Sequence, residues 1–145
     1  MTKSLDHAGA AIRVKLRCCG APLMVAVGAS AKIPHEQRLC LMCKENVVED
    51  SEHFVSRCTF YDDLRKQCQQ KLIDVVGDEK RSDFKSTIAR SDVDIFLGDT
   101  LASQLSEEKR SQFDVVICNF LRLAWRRRDR IWKDLTVEDN AWKLR

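Results

Sequence analysis

The 145-residue chain is poor in punctuation: it holds only 5 glycines, 2 prolines and 1 tyrosine. Segments can therefore run long without a break, which disfavours a many-stranded sandwich and favours helices. No run of about 18 apolar residues occurs, which leaves no candidate membrane-spanning helix. The opening MTKSLDHAGAAIRVKLRCCG lacks a continuous apolar core of signal-peptide length, so a secretory signal is not expected. A Ser/His/Asp or Cys/His set, a phosphate-cradling glycine loop and an open metal position are also lacking, so an enzyme is not expected. A strong charge of one sign is missing too, since the formal net charge is only +3.

Cysteine is not scarce. There are seven, an odd number that excludes complete internal pairing. Without a secretion signal they read as thiols or metal ligands in a reducing compartment, which places the chain inside the cell, in cytoplasm or nucleus.

Apolar residues make up 44% of the chain and charged residues 32%, enough for one domain over residues 1–145 with its own core. The charges are segregated. Residues 1–38 are net +4, residues 45–63 net −5, and residues 122–133 (RLAWRRRDRIWK) net +5. Helical spacing is read over 5–17, ended by Gly20 and Pro22, with Gly in the C′ position. LMVAV (23–27) reads as a short strand or extended segment, and 28–34 as a loop. Thr59 is a candidate N-cap for a helix carrying Leu64, Cys68, Leu72 and Val75/Val76 inward and stopped by Gly77. A further helix is read over 78–90 (Phe84, Ile88), and a connector with inward Ile95, Phe96 and Leu97 over 91–99. From Ser106, apolar residues at 113, 116, 117, 120, 124, 131 and 135 define one face of a long helix over 106–135. The fold class expected is mostly α: a small helical domain with one metal site and a long C-terminal helix packed across the helices over 5–17 and 64–76.

The most specific stretch is LCLMCKENVVEDSEHFVSRC (39–58), with the spacing C-x2-C-x9-H-x4-C. Two thiolates in a tight C-x2-C turn and a second pair nine residues on can surround one ion. The predicted ligands are Cys40, Cys43, His53 and Cys58, and the predicted cofactor is Zn²⁺. With four protein donors the site is closed, hence structural rather than catalytic. His35 and Cys68 are substitute ligands of lower rank. Cys18, Cys19 and Cys118 read as packing cysteines.

This stretch, followed by FYDDLR, resembles the zinc-binding segment found after the reverse transcriptase domain of non-LTR retrotransposons. The matching positions are Arg38, Leu39, Cys40, Cys43, Glu49, Asp50, His53, Phe54, Cys58, Tyr61, Leu64 and Arg65. The similarity extends from KLRCCGAPLMVAVG to FLRLAWRRRDRIW. Where that family often carries a Gly-Arg-aromatic step, this chain has Gly28-Ala29-Ser30. The resemblance implies a part in gripping RNA or DNA. It does not make Tyr61-Asp62-Asp63 a polymerase motif, since these residues sit at a predicted helix start.

The function expected on these grounds is a nucleic-acid-binding module with a structural zinc. Its contacts would be Arg122, Arg126, Arg127, Arg128, Arg130 and Lys133 on phosphates, with Trp125 and Trp132 stacking on bases. Arg127 and Arg128, however, fall inside the apolar stripe of the last helix. Either that helix projects beyond the core, or these arginines meet acids such as Glu49, Asp50 and Glu52. The first case frees a basic arm bearing Trp, and the second makes an internal ion network. An alternative function is a protein-interaction scaffold with a structural zinc, its projecting last helix binding a partner helix or a second copy through its apolar face. A membrane-surface role for a cationic helix bearing Trp is a third reading.

Overall fold

In the computed structural model the described residues are 7–77 and 82–138, so the parts of the predicted helices at 5–6 and 78–81 lie outside them. Six α-helices follow one another: α1 (His7–Arg17), α2 (Met24–Ser30), α3 (Asp62–Val76), α4 (Ser82–Ala89), α5 (Val93–Leu97) and α6 (Glu107–Glu138). A bridge between Leu39 and Val48 is the one β-pairing among the described residues. The mostly α class read from the sequence is what the chain adopts.

The long helix organises the rest. The Ser106 hydroxyl accepts the Lys109 amide at 3.3 Å, and Glu107 and Glu108 occupy the first turn, so α6 starts with a side-chain cap and a favourable dipole partner. Its stripe of Phe113, Ile117, Phe120, Leu121 and Ala124 is buried, chiefly against α1 and α3. Helix α1 runs antiparallel to it: Gly9 lies on Cys118, and Arg13 meets Asp114 at 3.0 Å. A Cβ at Gly9 would land on the Cys118 carbonyl, so this close crossing needs glycine. Arg13 also donates to the Phe96 carbonyl at 2.8 Å, tying α1 to α5. Cys68, Leu72 and Val76 of α3 and Phe84 and Ile88 of α4 complete the core. Gly77 ends α3 with φ 57°, its amide on the Ile73 carbonyl.

Several local readings are corrected. Helix α1 closes with Gly20 N–H on Lys15 O at 2.8 Å and Cys19 N–H on Leu16 O at 3.3 Å. The left-handed C′ residue is therefore Cys19 (φ 55°), not Gly20. Cys18 and Cys19 are exposed and do not pack; Cys118 is buried as expected. Residues Met24–Val27 of the LMVAV segment are helical, within α2, and Leu23 is its extended N-cap. Its first free amides are met from a distance, Met24 N–H by the Glu49 carboxylate (2.8 Å) and Val25 N–H by the Glu49 carbonyl (3.1 Å). Thr59 does not cap α3; it opens a 3₁₀ turn (Thr59–Tyr61) and its hydroxyl donates to Glu45 at 2.7 Å. The 91–99 connector contains the short α5, with Ile95 and Phe96 buried and Leu97 half-buried.

Candidate metal centre

Cys40 and Cys43 sit on a knuckle. Its base is pinned by Cys40 N–H on Val47 O (2.8 Å) and Glu49 N–H on Arg38 O (3.0 Å), and its tip turns through left-handed Lys44 and Asn46. His53 and Cys58 come from one unusually wide turn. Residues His53–Arg57 form a π-helical turn closed by Cys58 N–H on His53 O at 2.7 Å. In an α-helix a five-residue step would rotate Cys58 about 140° away from His53. The wider turn brings both side chains to the same side, which is how H-x4-C becomes a ligand pair. Asp50 Oδ1 accepts the His53 amide at 2.8 Å and caps this turn.

The four donors converge. The Cys40 and Cys58 sulfurs are 3.9 Å apart, Cys43 Sγ is 3.5 Å from His53 Nε2, and all four ligand atoms lie within 4.8 Å of one another. Thiolates about 2.3 Å and an imidazole nitrogen about 2.0 Å from one tetrahedral ion stand about 3.5–3.8 Å apart. The cluster therefore fits a single metal ion with little movement. Cys40, His53 and Cys58 are buried and Cys43 half-buried, and the four protein donors would fill all positions of a tetrahedral ion. His35 is exposed, and Cys68 faces the core, where burial pushes its thiol up to about 12; neither belongs to the cluster.

The electrostatics of the cluster are asymmetric. A hydrogen bond from Cys58, helped by His53 and by the Cys43 and Met42 amides, outweighs burial and holds Cys40 well below the ordinary thiol value. The same Cys40–Cys58 bond and burial push Cys58 up, and burial raises Cys43. Burial pulls His53 down, but the Cys40 thiolate and the Glu49 and Asp50 carboxylates outweigh it and the net shift is upward. Anionic character thus gathers where a cation would sit.

A residue not predicted as functional connects this cluster to α6. Glu49 is 1% exposed, with one carboxylate oxygen 3.9 Å from Cys40 Sγ. It holds Arg128, 3% exposed, in a two-pronged bond: Nε at 3.0 Å and Nη2 at 2.6 Å. The Arg128 guanidinium in turn lies 5.2 Å from the Trp125 ring centre and 4.7 Å from that of Trp132. The signal in the sequence was the position of Arg128 inside an apolar stripe. A second buried arginine, Arg65, donates to the Val55 (3.0 Å) and Cys58 (2.8 Å) carbonyls and anchors the π-turn. Arg38 donates to Ile33 and Val25 carbonyls and its stem covers Gly28, fixing α2 beside the knuckle. Phe54 and Tyr61 pack edge-to-face at 5.0 Å between the π-turn and α3. Thus Arg38, Glu49, Asp50, Phe54, Tyr61 and Arg65, all non-ligand positions of the motif, each brace the cluster.

The predicted nucleic-acid contacts divide into two groups. Arg127 and Arg128 are ion-paired within the chain: Arg127 pairs at the surface with Asp63 (2.6 and 2.8 Å) and donates to Phe60 O, holding the Asp63 carboxyl down at about 2, and Arg128 pairs with Glu49 in the interior. Trp125 and Trp132 are half-buried, each with Arg128 over its ring, and Trp125 also meets Phe54 at 5.6 Å. Of the two cases read from the sequence for Arg127 and Arg128, the structure has the second: both meet acids, Asp63 at the start of α3 and Glu49 beside the cluster, and both indoles pack against Arg128. Arg126 and Arg130 are exposed; Arg122 donates to Asn119 at 2.6 Å, and Lys133 pairs with Asp129 at 3.0 Å. Asp62 and Asp63 of the YDD triplet are ion-paired with Arg65 and Arg127.

Comparison with protein-family models, with curated proteins and with solved structures finds no match for this chain. Among the described residues no helix is long and apolar enough to cross a membrane.

Proposed function

We propose that Cys40, Cys43, His53 and Cys58 bind one structural Zn²⁺, and that the domain is a nucleic-acid-binding module, not an enzyme, akin to the tail of a retrotransposon reverse transcriptase. Three thiolates and an imidazole in a closed tetrahedral arrangement are donors that suit zinc in a reducing compartment. The binding reading is carried by one observation. Arg122, Arg126, Arg130 and Lys133 share one face of α6, within about 80° on a helical wheel, with Asp129, the partner of Lys133, as the acid at its edge. Like charges at i,i+4 cost a helix about 0.2–0.5 kcal/mol per pair, a cost that a bound polyanion would offset. With both indoles engaged by Arg128, the contact is to phosphates rather than stacked bases.

The test is fluorescence-anisotropy titration of the zinc-loaded protein on single-stranded RNA, single-stranded DNA and duplex DNA across a salt series. Four phosphate contacts on a duplex give a log–log slope of about −3.6. Arg126→Ala/Arg130→Ala should flatten it by about 1.8. Absence of binding at low salt would reject the reading in favour of a protein-interaction scaffold. The internal use of Arg127, Arg128 and both tryptophans favours that second reading.

A further inference from the structure

We infer that Arg128, on α6, is an outer-sphere residue of the metal centre, acting through Glu49 to balance its charge, so that metal affinity and docking of the distal half of α6 are linked. The inference rests on the metal reading above but not on nucleic-acid binding.

A divalent ion held by three thiolates and a neutral imidazole carries one net negative charge. Glu49 places a second negative charge 3.9 Å from the Cys40 sulfur, in a position 1% exposed, where water cannot screen it. Such a pair of buried like charges stands only if a cation accompanies it. Arg128 is that cation: its Nε meets Oε2, the carboxylate oxygen nearest Cys40, its Nη2 meets Oε1, and Met24 N–H takes a further lone pair of Oε1. The guanidinium is itself confined by Trp125 and Trp132, so it is fixed on α6 rather than borrowed from solvent. Outer-sphere partners of this kind orient ligands and tune metal affinity. Because binding free energies are reciprocal, whatever Arg128 contributes to the metal, the metal contributes to seating Arg128 and its helix.

The experiment is zinc affinity by chelator competition for the whole chain and for Arg128→Met, Arg127→Met, Glu49→Gln and Glu49→Gln/Arg128→Met. Arg128→Met should weaken zinc binding by about ten- to a hundredfold. Arg127→Met removes an α6 ion pair that does not touch the cluster and should stay within about twofold of the parent. The double variant, losing both charges together, should lose less than the two single variants multiplied. A parent chain that takes up no zinc overturns the metal reading itself. A parent that binds zinc, with Arg128→Met equal to it or Arg127→Met equally impaired, overturns this inference alone, as does multiplication of the single losses in the double variant. Should Arg128→Met not fold, Arg128→Lys decides: kept within about tenfold it supports charge balance, and a loss as large as the methionine range denies it.

Discussion

At Cys19 the backbone leaves α1 through the left-handed region, φ 55°. A side chain there costs about 1–2 kcal/mol, while glycine is free to adopt it but gives up more freedom on folding. Cys19→Gly should therefore raise the unfolding free energy by about 0.5–1 kcal/mol, read from denaturant midpoints at constant slope. An unchanged or lower midpoint would mean the exposed thiol contributes something the helix end does not account for. The same residue marks a limit of sequence reading. Gly20 lies next door and looks like the natural C′ residue, yet it sits one step beyond the turn, where its amide closes the six-residue ring onto Lys15. Cys18 and Cys19 likewise carry no periodicity that would separate an exposed thiol from a buried one. The clustering of Cys40, Cys43, His53 and Cys58 was legible because three thiols and an imidazole at tight spacing rarely gather except around an ion. Glu49 was legible only as one of three acids that Arg127 or Arg128 could meet; its bond to the Met24 amide and its place beside Cys40 were not.

Among the elements, those with an apolar stripe several turns long were legible: α3 and α6 follow theirs, and the packing of α6 on α1 and α3 was expected, although α1 buries Gly9, Arg13 and Leu16 and leaves Val14 exposed. Short elements were not. Helix α2 has two valines and a strand-like look, but its amino end is capped by Glu49 from across the metal site, a tertiary contact that overrides local preference. The π-turn is equally invisible: H-x4-C states a spacing, and only the wide turn makes it a converging pair. Packing of α1 on α6 yields a direct prediction. Gly9→Ala puts a methyl group into the Cys118 backbone, which neither helix can yield without shifting. The expected loss is about 1–3 kcal/mol, although alanine is the better helix former, and a destabilised chain with unchanged zinc affinity would place the damage at the helix crossing. A stabilised variant would show that the two helices separate easily there.

Over the whole molecule the segregated charges of the sequence become internal contacts. Acids of the 45–63 stretch meet the basic stretch of α6 through the buried Glu49–Arg128 pair and the surface Asp63–Arg127 pair, so two of its six cations are engaged by that stretch. On the zinc reading proposed above, the molecule has two parts with different dependence on metal. One is the helical core of Leu72, Phe84, Ile88, Ile95, Phe96, Phe113, Ile117 and Leu121, remote in sequence from the ligands and built on apolar burial. The other is residues 38–60 with the distal half of α6, joined by Glu49 and Arg128. Chelation should act on the second part first. Zinc at a hundred times its Kd contributes about 2.7 kcal/mol, so its removal should speed amide exchange in 38–60 and 125–138 by about a hundredfold. Amides of α4 and of residues 113–121 should change less, and most of the far-ultraviolet helical signal should survive. Uniform loss of protection would mean that one cooperative unit includes both parts, and that the apolar core cannot stand without the metal. Unaltered exchange in 125–138 would mean that the distal helix is held by its tryptophans and Arg127 alone, and that the buried Glu49–Arg128 pair transmits nothing from the metal to the helix.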